Sequence, residues 1–169
     1  GSVGASAALG RSDGFNQVAA EHDEWTILDS QSGDFTQDGG QEVMESFIKS
    51  YEGQFNVVVC HNDNEAYGAM DAMDAAGITY GVDGDVTLIS FDATHDGLQY
   101  TLDGKINCDV ECNPLHGPRV EEIIQKLEAG EDVDKQAFVD EVAFASDDTV
   151  TKVTIDGTDY DITPITQEI

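Results

Sequence analysis

Six residues of this 169-residue chain have the types and positions to grip a small polar molecule: Arg11, Phe35, Asn62, Phe91, Asp92 and Glu111. They supply a planar arginine donor, an amide that donates and accepts, carboxylate acceptors and two aromatic faces. A polyhydroxylated ring needs these parts, because its hydroxyls take bidentate partners and its C–H faces stack on aromatic rings. Singly, each has a plainer role. Phe35 and Phe91 suit a core, Asn62 and Asp92 suit helix caps, and Arg11 suits a surface ion pair. Only convergence on one edge lifts binding above these roles. A catalytic set is not signalled. The chain has no GxSxG elbow, and His61 beside Cys60 points to the opposite face of its strand. The sequence therefore reads as a binding protein and not an enzyme, with no cofactor and no metal.

The element that must position these residues is Asn56 to Gly77, NVVVCHNDNEAYGAMDAMDAAG. Val57, Val58 and Val59 form a β-branched apolar run too short for a helix, as in a buried strand of a parallel sheet. Asn62 or Asp63 can cap the next helix, whose face carries Ala66, Met70, Met73 and Ala76 and which Gly77 stops. In open α/β sheets ligands bind at the carboxyl ends of strands, where Asn62 lies. Around this unit the pattern predicts a helix starting near Ala5 or Ser6, with Ala8, Arg11, Phe15, Val18 and His22 on one stripe. Further helices are expected over QEVMESFIKSY, from Thr94 to Asp103, and from Asn113-Pro114 to Gly130. Strands are expected at Trp25–Ser30, Val86–Phe91, Lys105–Cys112, Ala137–Ala145, Val150–Ile155 and Tyr160–Ile165. The rhythm is that of an α/β chain with a doubly wound, mostly parallel, flavodoxin-like sheet. Phe35, Asn62, Phe91-Asp92 and Glu111 with Cys112 then project toward one edge of it.

Seven basic residues against 35 acidic ones give a formal charge of −28. Such a surface repels phosphate backbones and anionic lipids, which argues against nucleic-acid partners and membrane-surface binding. No apolar run reaches membrane-spanning length, and no charged leader precedes one, so the sequence reads as a mature protein, a fragment or a trimmed piece. Gly1-Ser-Val-Gly4 lacks the Lys-Ser/Thr of a phosphate loop. Asp83 and Asp85 around Gly84 read as turn chemistry before calcium ligation. Cys108 and Cys112, four residues apart on one strand, are about 13 Å apart and cannot form a disulfide. With Cys60 they are expected to be buried free thiols.

Five ordered stretches resemble the type I periplasmic sugar-binding proteins, the solute receptors of ABC importers. They are GASAALGRSDGF, SQSGDFTQDGGQEVMESF, VVVCHNDNEAYGAMDAMDAAG, LISFDAT and LDGKINCDVECNPLHGP, together covering Gly1 to Ala145. QSGDFT and ECNP are most similar to the galactofuranose-binding branch, with ribose-binding proteins more distant. The resemblance implies two lobes closing on one monosaccharide, such as galactofuranose, ribose or a similar pentose or hexose, and a membrane permease as partner. It implies that Arg11 bonds sugar hydroxyls, that Phe35 and Phe91 stack on the ring, and that Asn62 and Asp92 bond hydroxyls. Asp63 would then be the cap, leaving Asn62 free for the cleft. A fifth position falls at Cys112 by register, with Glu111 reaching the cleft through a bulge. The resemblance also implies an extracytoplasmic place, in the periplasm or on the cell surface as a lipoprotein.

By the same resemblance residues 1–112 are the C-terminal sugar-binding lobe. Residues 113–169 are a return segment and strands that pack on an N-terminal lobe. The strand preceding Gly1, expected between Trp25–Ser30 and Val57–Cys60, is missing, so the chain is expected to be a fragment of a longer receptor. A second reading of the same fold is the effector-binding domain of a LacI-type transcription regulator, for which −28 is an awkward charge.

Overall fold

Met44, Met73, Leu88 and Ile106, each at most 2% exposed, are the apolar residues around which the chain packs. In the computed structural model, which describes residues 1–155 and 157–166, helix α1 (Ser6–Ala19) comes first, and these residues are brought together by helices α2 (Gln37–Tyr51), α3 (Asp63–Ala76) and α4 (His95–Leu102) and strands β1 (Val57–Val59), β2 (Thr87–Asp92) and β3 (Cys108–Glu111). Beyond these lie α5 (Gly117–Glu128), β4 (Ala143–Ala145), β5 (Lys152–Ile155) and β6 (Thr158–Pro164). One six-stranded sheet has the order β1-β2-β3-β4-β6-β5. β1, β2 and β3 run parallel in register, Val59 opposite Ile89 and Asp92 opposite Glu111. β4 is antiparallel to β3, β6 is parallel to β4, and β5 closes an antiparallel hairpin with β6. The expected α/β class and its parallel core are present.

α3 works as the central helix because its buried face is small. Ala66, Gly68, Ala69 and Ala72 are buried along it, with Met70 and Met73 filling the space toward the sheet. Gly68 lies against α2 so closely that a Cβ there would run into the Gln37 carbonyl oxygen. Gly40 on α2 is as close to the backbone of Glu65. Gly68→Ala is therefore expected to force the two helices apart and lower stability by about 1–3 kcal/mol, read from the urea unfolding midpoint.

Three expectations are corrected. Trp25–Ser30 is not a strand, because a strand needs a ladder partner and the described residues provide none. Trp25 instead stacks on His22, with ring centroids 4.2 Å apart, and β1 stands at the sheet edge with Val57 half exposed. The flavodoxin-like strand order is consequently seen only in its β1-β2-β3 part. Of the strand expected over Ala137–Ala145, only Ala143–Ala145 pairs, where it meets β3. Finally, Cys60 is buried and its thiol is pushed up to about 12, but Cys112 is exposed.

The return segment divides in two. α5 buries none of its residues, and Val120, Ile123, Ile124 and Leu127 form an exposed apolar stripe along it. β4 and the β5–β6 hairpin instead extend the sheet beyond β3.

Candidate functional site

The carboxyl ends of β1 and β2 open into two loops that are tied together by side chains. Asn62 is the N-cap of α3, its Oδ1 accepting from the Glu65 N–H at 3.0 Å. This reverses the expected division of labour, in which Asp63 capped the helix and Asn62 was free. Asn62 is 6% exposed, and its Nδ2 donates to the Phe35 carbonyl oxygen at 3.2 Å. Asp63, one residue on, turns inward to Ser90 and Thr94. The reason is distant in sequence: those partners lie 27 and 31 residues away.

Phe35 sits in the left-handed region with φ 61°, after Asp34 with φ 55°. Few non-glycine residues adopt this shape unless their surroundings impose it. Here Glu65 imposes it. The buried Glu65 carboxylate accepts from the Phe35 N–H at 3.0 Å and, through its other oxygen, from the His61 N–H at 3.1 Å. Asn62-x-x-Glu65 has the spacing of a capping box, the one local signal for Glu65 in the sequence. The edge of the Phe35 ring lies beside Ala8 at the Gly1 backbone, and Ala8 is one turn from Arg11 on α1.

Arg11 is the centre of the cluster. Its Nη2 donates to Asp92 Oδ1 at 2.8 Å, its Nη1 donates to the His61 carbonyl oxygen, and its guanidinium carbon stands 4.9 Å from the Phe91 ring centroid. One cation thus joins α1, the end of β1 and the end of β2. Burial pushes the Asp92 carboxyl above its ordinary range, against the pull of the Arg11 hydrogen bond and charge. Burial likewise lowers the His61 imidazole. Arg11, Phe35, Asn62, Phe91 and Asp92 therefore meet at one edge as the residue types suggested.

Glu111 does not join them through a bulge. β3 pairs regularly, with Glu111 directly opposite Asp92. The Glu111 carboxylate accepts from the Val142 N–H at 3.1 Å and from Asn113 Nδ2 at 3.0 Å, which ties it to the approach of β4. Among the described residues no cluster of three or more His, Cys, Asp or Glu side chains could hold a metal. Asp85 takes the Thr79 hydroxyl hydrogen in a turn, in keeping with turn chemistry.

A family model described as "Periplasmic binding protein domain" matches residues 1–115. The chain belongs to this periplasmic binding protein family. It is 40% identical over 121 residues to the Galactofuranose-binding protein YtfQ of Escherichia coli, covering 70% of this chain and 37% of that protein. It is 33% identical over 141 residues to the Ribose import binding protein RbsB of Salmonella typhimurium, covering 83% of this chain and 45% of that one. Among solved structures, a Mycobacterium smegmatis protein in complex with β-D-fucofuranose superposes with a TM-score of 0.77 at 43% identity, over 86% of this chain and 47% of its own. The binding-protein component of the arabinose ABC transporter from Shewanella sp. ANA-3, bound to α- and β-L-arabinofuranose, gives 0.78 at 39%, over 86% and 48%. The chain spans less than half the length of each of these relatives. Within the described residues, no helix of this family member is long and apolar enough to cross a membrane.

Proposed function

We propose that this chain carries one wall of a monosaccharide cleft in the substrate-binding component of an ABC-type sugar importer, and that it is not an enzyme. One observation carries the reading. Arg11, locked to Asp92 and stacked over Phe91 at the carboxyl ends of β1 and β2, offers bidentate donors, carboxylate acceptors and an aromatic face within one patch. Asn62 adds its second amide hydrogen and Phe35 an aromatic wall. Glu111 contributes from the next strand end once its Asn113 bond is exchanged for a hydroxyl. Relatives named for galactofuranose and ribose, and one solved with bound arabinofuranose, support a furanose or similar pentose or hexose as ligand. Their names also favour an importer over a LacI-type regulator.

The place of action in this reading is extracytoplasmic, in the periplasm or on the cell surface as a lipoprotein, and a membrane permease receives the sugar. Residues 1–112 form the sugar-binding lobe, and the α5 stripe of Val120, Ile123, Ile124 and Leu127 packs on an N-terminal lobe of the same receptor. Calorimetric titration of the receptor with D-galactose, D-ribose, L-arabinose and D-fucose tests the proposal. At least one is expected to bind with an affinity that Arg11→Ala abolishes. Silence from every pentose and hexose would overturn it.

A further inference from the structure

Beneath the cleft edge, two carboxyl groups from different elements meet out of contact with water. Asp63 opens α3 and Asp109 lies in β3; they are 1% and 0% exposed. Both Oδ2 atoms crowd the first turn of α4, where a Cβ on Gly97 would collide with each of them. The Asp63 carboxylate accepts from the Ser90 hydroxyl at 2.6 Å, the Thr94 N–H at 2.8 Å and the Thr94 hydroxyl at 2.7 Å. Asp109 Oδ1 accepts from the Ala93 N–H at 3.1 Å, while its Oδ2 is buried without a partner. The four donors bonded to the pair are thus aimed at its other oxygens, and the orphaned Asp109 Oδ2 is a carboxyl oxygen beside a carboxylate. Two buried carboxylates in contact cannot both ionise without a large electrostatic cost. A proton on Asp109 Oδ2 removes that cost and turns the orphan into a donor to Asp63.

What the pair holds is the turn that presents the site. Asp92 and Ala93 have φ of 104° and 51°, an unusual shape for two adjacent non-glycine residues. The amides of Ala93 and Thr94 are each bonded to one carboxyl of the pair. We propose that Asp63 and Asp109 share a single proton, and that this proton fixes the Asp92–Ala93 turn so that Asp92 and Phe91 are held toward Arg11 and the ligand. Asp109 is then a positioning residue for the sugar cleft, in a role that rests on the function proposed above. Burial first, and then the Asp63 charge, push the Asp109 carboxyl up to about 8. The charged and titratable groups facing the pair reinforce this. Asp92 adds a like charge, the Tyr67, Cys60 and Cys108 groups are held neutral by burial, and Arg11, the cation at the turn, is engaged by Asp92.

The sign follows from the raised value. Between the ordinary 3.8 and about 8 the folded chain binds a proton that the unfolded chain has lost. The pair's stabilising contribution is therefore whole below about pH 4 and lost as the pH rises through about 8. Asp109→Asn mimics the protonated acid at every pH, its amide donating to Asp63 and its amide oxygen accepting from Ala93.

Three readings test this on the chain and on the receptor containing it. Infrared spectra of the wild type should show a protonated carboxyl band at pH 6 that disappears near pH 8 and is missing in Asp109→Asn. Hydrogen-exchange protection at Ala93 and Thr94 should fall about tenfold from pH 7 to 9 in the wild type and stay level in the variant. Affinity for the best-bound of the four sugars should fall by a similar factor in the wild type and stay level in the variant. Absence of the band at pH 6, or the same pH dependence of protection in wild type and Asp109→Asn, would overturn the proposal. The first two readings need no sugar. If no sugar binds, the function falls and the band and protection still decide the shared proton.

Discussion

Asp92→Ala is expected to lower the affinity of the receptor for its sugar by about 1.5–3 kcal/mol, roughly ten- to a hundredfold, as for hydrogen bonds to a charged group. Three features set that size. The Asp92 side chain is about a third exposed, so a ligand can reach it, yet Arg11 holds it by a 2.8 Å bond in a defined orientation. Removing the carboxylate deprives the sugar of an acceptor and also releases the guanidinium from one of its anchors, leaving the His61 carbonyl and the Phe91 ring. Stability should change little, because a partly exposed ion pair contributes only about 0–1 kcal/mol. Titration calorimetry with a urea melt as control separates the two effects. An affinity within about threefold of wild type would remove Asp92 from the site. Because burial raises its carboxyl, acidification should weaken binding before the ordinary carboxylate range is reached.

Asp63→Ala should act in the opposite way, on the fold. It strips the acceptor from the Thr94 N–H and from the Ser90 and Thr94 hydroxyls, and a buried donor left unsatisfied costs about 1–3 kcal/mol. The hydroxyls can rotate to other acceptors, but the amide cannot. Asp109 is meanwhile relieved of its neighbour's charge, which offsets part of the loss. The expected total is about 3–4 kcal/mol, a large share of the 5–15 kcal/mol typical of a domain. Denaturant unfolding at pH 7 measures it, with Ser90→Ala as a milder companion near 1 kcal/mol. A loss no larger than that of a surface substitution would show that Asp63 does not hold the turn.

The parallel core was legible because its signals are local. VVV and TLISF are β-rich, mostly apolar runs, KINCDVEC alternates between Gly104 and Asn113, and α3 carries its face and its Gly77 stop within one stretch. Trp25–Ser30 has the same local character and yet forms no strand, since pairing is a property of two segments. Asn62 and Asp63 were exchanged for a related reason. Either side chain can cap a helix, and the choice is made by Ser90 and Thr94, which lie far along the chain. Asp109 gave no signal at all. As one of the two acids in CDVEC, beside Glu111, it looks like an outward strand residue until Asp63 is seen across from it. The Arg11–Asp92–Phe91 cluster was foreseen by residue type, but its central ion pair was not, because nothing local fixes the reach of an arginine.

The exposed stripe on α5 sets how the chain behaves in company. In the chain by itself, without the N-terminal lobe proposed to cover them, Val120, Ile123, Ile124 and Leu127 would adhere to one another between copies, and the −28 charge is the opposing repulsion. That repulsion extends about 10 Å at 0.1 M ionic strength and only about 3 Å at 1 M. Colloidal behaviour thus depends on salt: copies stand apart in dilute buffer, and their helices come within adhesive reach as ions screen them.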